Sequence, residues 1–338
     1  MPIRMSRRAF IAGATLFGVG IAIDQNDYIS QYVHQFGISA IAAGRNFSVA
    51  VRDGRVYAWG QNNFGQCDVP WNLPRITQID ASDNHVVALS DDGEPFVWGG
   101  QKYQLPKLPA IVRVLAFSEL HTVLLLADDY QTFYLLVDGD TTKPVIETYK
   151  WPVKIRHLNN ALVDDFGVPF IDEDGNCGSV KSSYGFFQLQ FDIPIIDLTS
   201  GIFGITAKGD VILIKRYIYT FGAGSTTQNI LTQDELDGIQ SRLGINIAQL
   251  HDVREIIFDP ANVGSYVTYN SGNVTWYAPP EISSELKHQL MLPFPQETKV
   301  RYLVTGSSHV LALTATGALY AWGDNTHGAC DIPRQLSL

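Results

Sequence analysis

The sequence lacks most of the features that would assign a chemistry to it. Its 338 residues contain three cysteines and no CxxC pair, which argues against a disulfide scaffold and against a zinc site. No run of lysines or arginines occurs beyond the first ten residues, and the formal net charge is −10. Electrostatic binding to nucleic acid is therefore not expected. HExxH and GxSxG motifs and a phosphate-binding P-loop are also absent. We expect no catalytic residues, no metal, no cofactor and no nucleic-acid partner.

Apolar residues, by contrast, are plentiful. Hydrophobic residues make up 46% of the chain and charged residues 17%, which is enough to bury a sizeable core and excludes disorder of the chain as a whole.

The first 24 residues differ from the rest. Arg7 and Arg8 precede about fifteen apolar or small residues that end before Asp24, and this order resembles a twin-arginine export signal. The apolar run is too short to cross a bilayer core of about 30 Å as a helix. Two locations stay open: export to the periplasm or the exterior, or retention of the segment as an anchor in a membrane or assembly. Any membrane contact is expected within residues 7–23 only, and residues 25–37 are predicted to be a linker.

Two segments near the ends of the chain carry the same twelve-residue pattern. WGQNNFGQCDVP (59–70) and WGDNTHGACDIP (322–333) agree at Trp, Gly, Asn, Gly, Cys, Asp and Pro. Each segment follows an alternating apolar run, a glycine turn and a second apolar run. This arrangement is typical of two antiparallel strands joined by a tight turn.

Similar turns recur along the chain, near residues 54, 93, 130, 175, 209, 272 and 317. Their separations are 34 to 45 residues, apart from one interval of 63 residues. Units of this length cannot bury both of their faces alone, which favours radial stacking. We predict an all-β, seven-bladed β-propeller over residues 38–338, with an open β-solenoid as the alternative.

The long interval predicts an insertion at about residues 217–252. Thr232 and Glu235 form a capping box there, which indicates a short amphipathic helix ending at Gly244. The insertion is interpreted either as a cover for a blade edge or as a contact element for a partner.

The repeat resembles that of the RCC1 superfamily. Small residues and a Gly precede a His, an apolar run, a Gly turn and a Trp-Gly-x-Asn-x-x-Gly ending, and the match is good over 38–100 and 299–333 but degenerate between them. The short VP or IP ending resembles a bacterial branch, which includes a secreted β-lactamase inhibitor. The resemblance implies a seven-bladed propeller used for recognition. Its structural repeat positions are Gly44, Trp59, His85, Trp98, His121, Gly306, His309 and Trp322.

Three residue groups with apparent chemistry have simpler interpretations. The histidines at 85, 121 and 309 share a repeat position that is Phe47 in the first copy, so packing rather than proton transfer or metal binding is expected. Residues 172–176 are expected to form a turn instead of a calcium loop. Cys67 and Cys330 are expected to be buried thiols without a disulfide, because equivalent points on neighbouring blades are about 10 Å apart.

The candidate partner-binding residues follow the repeated Trp-Gly pairs, on loops that should face one rim of the propeller. Aromatic side chains in such loops suit a protein-binding face, although ordinary loop packing is the alternative. The candidates are Asn63, Phe64, Trp71, Tyr103, Thr326 and His327.

These features predict a non-enzymatic module that binds a protein partner through its rim loops. The alternative is a scaffold-like accessory subunit of a larger assembly, such as a surface appendage, membrane complex or virion, held by its N-terminal segment. Inhibition of a secreted enzyme is a third possibility. The fold alone does not choose among them.

Overall fold

The computed structural model describes residues 37–100, 105–116, 123–137, 145–151, 153–158, 168–181, 185–189, 195–199, 203–213, 237–238, 240–241, 244–261 and 263–337. The export-like segment, Tyr103, His121 and the predicted capping box of Thr232 and Glu235 lie outside these residues.

Seven antiparallel sheets make up this part of the chain, and in each the strand order follows the sequence. Sheet 1 contains β1 (Ile38–Ala43), β2 (Phe47–Arg52) and β3 (Arg55–Gly60); sheet 2 contains β4 (Ile76–Ala81), β5 (His85–Ser90) and β6 (Pro95–Gly99). Sheet 3 contains β7 (Ile111–Ala116), β8 (Val123–Ala127), β9 (Thr132–Val137) and β10 (Val145–Lys150). Sheet 4 contains β11 (Ile155–Leu158), β12 (Val168–Asp172), β13 (Cys177–Lys181) and β14 (Gly185–Leu189).

The remaining sheets have three described strands each. Sheet 5 contains β15 (Ile195–Thr199), β16 (Phe203–Thr206) and β17 (Val211–Leu213); sheet 6 contains β18 (Val253–Phe258), β19 (Ser265–Tyr269) and β20 (Val274–Tyr277). Sheet 7 contains β21 (Val300–Thr305), β22 (His309–Thr314) and β23 (Leu319–Gly323).

Tight turns join the strands at the positions that the sequence predicted. In sheet 1 the turn consists of Asp53 and Gly54, with φ of 55° and 80°, so both central residues are left-handed. Such a turn matches the right-handed twist of the two strands it joins. In sheet 3 the left-handed position is taken by Tyr130 (φ 57°) instead of a glycine.

The first strand of every sheet contains an irregularity at the same point. The pairing register shifts between the first and third residues of β1, β4, β7, β11, β15, β18 and β21. A bulge at this point leaves one residue unpaired and bends the strand. The third-residue positions are Ala40, Gln78, Arg113, His157, Asp197, Glu255 and Tyr302.

Apolar side chains fill the spaces between successive sheets. Phe47, Ile76 and Trp98 belong to one core cluster shared by sheets 1 and 2, and comparable clusters lie between sheets 2 and 3, 3 and 4, 5 and 6, and 6 and 7. Strands of sheets 4 and 5 are also in contact. Trp59 of sheet 1 and Leu311 of sheet 7 share a further core cluster, so the last sheet packs against the first.

A short helix, α1 (Ser284–Leu290), lies between sheets 6 and 7 and was not predicted from the sequence. The Ser283 hydroxyl caps it by accepting a hydrogen bond from the amide of Leu286 at 3.3 Å, and Leu290 is buried. In the predicted insertion, residues 237–238 and 240–241 are helical, and Ile247–Gln249 forms a 3₁₀ turn. Within the described part of the chain, none of the helices has the length and apolarity to cross a membrane.

Candidate functional site

The first Trp-Gly loop (61–68) is closed by one asparagine. Asn62 donates from Nδ2 to the Asp68 carboxylate at 2.8 Å, and its Oδ1 accepts the amide of Cys67 at 2.8 Å. Gly65 has a φ of 75°, a conformation in which a side chain would be strained. The Asn-x-x-Gly-x-Cys-Asp spacing therefore encodes a fixed loop shape.

The last Trp-Gly loop (324–331) repeats this geometry. Asn325 donates to Asp331 at 2.9 Å and accepts the amide of Cys330 at 2.8 Å, and Gly328 also has a φ of 75°. Both loops leave the last described strand of their sheet, β3 and β23, so they lie at the same end of the sheets. We call this the loop end and the opposite end, with the Asp53–Gly54 turn, the hairpin end.

Tryptophan side chains form hydrogen bonds to the connections between sheets. Trp59 in sheet 1 donates from Nε1 to the carbonyl of Ala329 in the last Trp-Gly loop at 2.8 Å. Trp98 in sheet 2 donates to the carbonyl of Gln66 in the first Trp-Gly loop at 3.1 Å. Trp322 makes the corresponding contact with Leu290, at 3.3 Å, in the connection that leaves sheet 6. Each loop is thus bonded to the next sheet as well as to itself.

The two described histidines of the repeat are buried. His309 lies with Nε2 2.7 Å from the hydroxyl of Ser48, and that hydroxyl donates to the carbonyl of Ala329 at 2.7 Å. Since its one proton is used there, Ser48 accepts from His309, whose Nε2 must carry the proton. Burial lowers the pKa of His309 to about 4. His85 is equally buried, with Nδ1 3.2 Å from the Ser82 hydroxyl.

The tips of the two Trp-Gly loops place four of the six predicted partner-binding residues at the loop end. Asn63, Phe64, Thr326 and His327 are all exposed there. Phe64 is 55% exposed, which is unusual for a large apolar side chain in a loop whose backbone is this well bonded.

Trp71 does not belong to this group, which corrects the prediction that all candidates share one rim. It is 96% exposed and borders a groove with Asp53, Gly54 and Arg55, which lie at the hairpin end. The reason is the path of the chain, which leaves the loop end at Asp68 and must return along sheet 1 to enter β4 at Ile76.

Cys67 and Cys330 are free, as predicted, but they are only half-buried. Burial, and to a smaller extent the neighbouring Asp68 carboxylate, raises the pKa of Cys67 to about 11. The pKa of Cys330 is also raised to about 11, by burial and then by Asp331. Both thiols are therefore protonated and weakly nucleophilic at neutral pH.

A polar cluster on the bulged strands was missed by sequence reasoning. His157 Nε2 lies 3.1 Å from the Asp197 carboxylate on the neighbouring sheet. Burial, and then repulsion by Asp197, raises the pKa of Glu255 well above its ordinary value, while Arg254 opposes the shift. In the structure, His157, Asp197 and Glu255 share the third position of successive first strands, but the sequence alone does not mark this position.

Among the residues that the structure describes, no group of three or more His, Cys, Asp or Glu side chains is placed to hold a metal ion. In the acidic stretch at 172–176, one carboxylate oxygen of Asp172 accepts the amides of Asp174 and Asn176 at 3.0 and 2.8 Å. Residues 172–176 therefore form a turn, as predicted, and the Asp172 carboxylate stabilises it.

Seven meander sheets with a cyclic order of contacts define a β-propeller, and solved structures agree. The ectodomain of the Arabidopsis thaliana receptor kinase ACR4 matches with a TM-score of 0.53 at 10% identity, covering 87% of this chain and 98% of that one. The Myceliophteria thermophila Cps50 (Swd1) beta-propeller domain matches with a TM-score of 0.51 at 11% identity, covering 86% and 98%.

The sequence comparisons then identify the repeat. The family model of the Regulator of chromosome condensation (RCC1) repeat matches residues 38–66 and 300–329. Human E3 ubiquitin-protein ligase HERC2 is 23% identical over 334 aligned residues, covering 89% of this chain and 5% of its own length. Protein RCC1 of Candida albicans is 30% identical over 101 residues, covering 23% and 22%. The chain thus spans only a small part of the length of these curated relatives. The chain therefore contains RCC1-like repeats in these two matched segments, as the sequence predicted.

Proposed function

We propose that this propeller is a non-catalytic module that binds a protein partner at its loop end. The observation that carries the proposal is the presentation of Phe64 and His327 by two loops of the same geometry. Each loop is closed by an asparagine and bonded to the next sheet through a tryptophan.

Rigid presentation favours affinity, because side chains that are already ordered lose little conformational entropy on binding. Aromatic anchors surrounded by polar groups are also the usual source of binding energy in protein interfaces. At the loop end, Phe64 supplies the apolar anchor, and Asn63, Thr326 and His327 supply hydrogen-bonding groups.

A shallow cavity of about 210 Å³ at the loop end adds to this surface. Gly44, Ser82 and Gly306 line it, and Arg45 and Asp83 close part of its margin with an ion pair of 3.0 Å. A ligand side chain can enter between the ends of the first strands there.

The second candidate is an accessory or scaffold subunit of a larger assembly, held by the N-terminal segment. The export-like sequence before Asp24 favours it if that segment is retained, whereas removal favours an exported binder, including an inhibitor of a secreted enzyme. Export and the relation to the bacterial branch remain predictions. The intact mass of the native protein tests retention, since loss of about 22 N-terminal residues contradicts the anchored subunit.

The binding proposal is tested by affinity capture with the full chain, the double variant F64A/H327A, and the control Y130N. Tyr130 is a 43% exposed aromatic residue on a hairpin turn, and asparagine tolerates its left-handed backbone. Loss of the captured partner with F64A/H327A alone supports the loop end. Equal capture by all three proteins, at unchanged melting temperatures, contradicts it.

A further inference from the structure

A groove at the hairpin end forms a second surface, away from the loop end. Its volume is about 620 Å³, and it separates the Asp53–Gly54 turn and the start of β3 from the connecting segment 69–75. Val56, Val69 and Leu73 form its apolar floor.

Trp71 stands at the margin of this groove without support from the core. Its 96% exposure is the highest among the exposed large hydrophobic residues in the described part of the chain. The equivalent position of the last repeat, after Asp331-Ile332-Pro333, is Arg334, so the repeat itself does not require an aromatic residue here. A tryptophan this exposed leaves a large apolar surface in water that a bound partner would cover, and tryptophan is enriched among the residues that carry binding energy.

The segment that carries Trp71 is held in shape before any ligand binds. Pro70 and Pro74 fix their own φ angles, and the amide of Leu73 approaches the carbonyl of Pro70 at 3.5 Å to close a turn around Trp71. Leu73 anchors the turn in the core cluster of sheets 1 and 2. The backbone position of Trp71 is therefore largely set in advance.

Two arginines and one aspartate, Asp53, line the groove, so its net charge is positive in an otherwise acidic protein. Arg55 and Arg75 are exposed, and neither forms an ion pair with any residue that the structure describes. Arg75 donates instead to the carbonyl of Asp53 at 3.2 Å, while the Asp53 carboxylate lies 3.9 Å from Arg52 Nε. Two guanidinium groups are thus available for carboxylates.

The main chain of β3 adds a third element. Arg52 and Arg55 flank a two-residue turn and pair with each other, so the peptide groups of Val56 point away from β2. Since β2 is the one neighbour of β3 among the described strands, Val56 presents an open strand edge to the groove. Extended peptides bind to such edges through main-chain hydrogen bonds.

We propose that this groove binds an extended acidic segment of a partner protein. The segment lies beside β3, places an apolar or aromatic side chain against Trp71, and directs carboxylates to Arg55 and Arg75. The proposal is independent of the loop end, because the two surfaces are at opposite ends of the sheets.

The test uses the full chain and fluorescence anisotropy of a labelled, capped ten-residue peptide of alternating glutamate and valine with one central tyrosine. The peptide in which lysine replaces glutamate and a neutral proline-rich peptide are measured in parallel. We expect the glutamate peptide to bind with a Kd on the order of 1–100 μM, weakening as salt is added, and the lysine peptide to bind at least about tenfold more weakly.

The variants separate the groove from the rest of the surface. Trp71→Ala should weaken binding of the glutamate peptide by about tenfold or more, and Arg55→Gln by a few-fold, roughly the effect of one exposed charge pair. Arg334→Gln makes the same charge change at the exposed, equivalent region of sheet 7 and should leave binding unchanged, as should F64A/H327A.

The proposal is overturned by absence of binding up to about 1 mM glutamate peptide, by equal binding of the lysine peptide, or by full binding by Trp71→Ala at an unchanged melting temperature. Tighter binding of the proline-rich peptide also overturns it, since the groove would then recognise a neutral polyproline helix.

Discussion

The hydroxyl of Ser48 and Nε2 of His309 lie 2.7 Å apart, although 261 residues separate them in the sequence. This buried hydrogen bond joins the first sheet to the last, and the same hydroxyl holds the carbonyl of Ala329 in the last Trp-Gly loop. This contact gives His309 a structural role. It also implies that protonation of His309 at low pH should destabilise the fold.

Protonation of His309 should destabilise the fold. Its pKa is about 4 in the folded chain and 6.5 as the ordinary value, so the unfolded chain binds more protons between these pH values. Stability is then fully present above pH 6.5 and falls as the pH drops to 4, by roughly 3 kcal/mol from this residue. Urea unfolding at pH 7 and pH 4.5 measures the loss. His309→Gln should flatten it, whereas the exposed control His327→Gln should not.

Removal of the Ser48 hydroxyl should be costly at any pH. Ser48→Ala leaves the His309 N–H and one acceptor position at Ala329 without their partner in a buried interface, at a cost of about 1–3 kcal/mol. The exposed Ser307→Ala provides the control and should change the free energy of unfolding by less than about 0.5 kcal/mol. Equal effects of the two substitutions would show that the buried hydrogen bond contributes nothing.

Glu255 should give the opposite pH dependence. Its raised pKa means that the folded chain keeps a proton that the unfolded chain releases, so stability is lost as the pH rises through the folded pKa. Asp197, Arg254 and, through Asp197, His157 set the local charge. Glu255→Gln should therefore raise the melting temperature at pH 9 relative to the unsubstituted chain and change it less at pH 5. A larger gain at pH 5 would contradict this assignment.

The asparagine that closes the first Trp-Gly loop should control its rigidity. Asn62→Ala removes the bonds to Asp68 and to the amide of Cys67, so hydrogen exchange at that amide should accelerate about tenfold or more. The neighbouring, exposed Asn63→Ala should leave the exchange rate unchanged. If partner binding at the loop end depends on rigid presentation, Asn62→Ala should also weaken it.

The sequence predicted the features that local patterns determine. Turn glycines, alternating apolar runs and the repeated Trp-Gly segments each depend on residues close together in the chain, and they led to the propeller and to the RCC1-like repeat. The burial of His85 and His309 was also expected, because Phe47 occupies their position in the first repeat.

Features that depend on distant residues could not be predicted from one sequence. The ion pair of His157 with Asp197 requires knowing which side of each first strand the bulge exposes, and bulges leave no mark in apolar periodicity. Trp71 was assigned to the wrong end because the segment after Pro70 has no regular structure to show its direction. Helix α1 has seven residues, too few to give a clear amphipathic pattern.

The seam between sheets 1 and 7 also bears on how the chain folds. This seam joins residues 38–60 to residues 300–337, so native packing of β1 to β3 must wait until residues 300–337 have been synthesised. Contacts of such high sequence separation slow folding and leave apolar strand faces uncovered meanwhile. On a ribosome, the apolar face formed by Ile41, Ala50 and Trp59 should therefore stay uncovered until then and be a binding site for a chaperone.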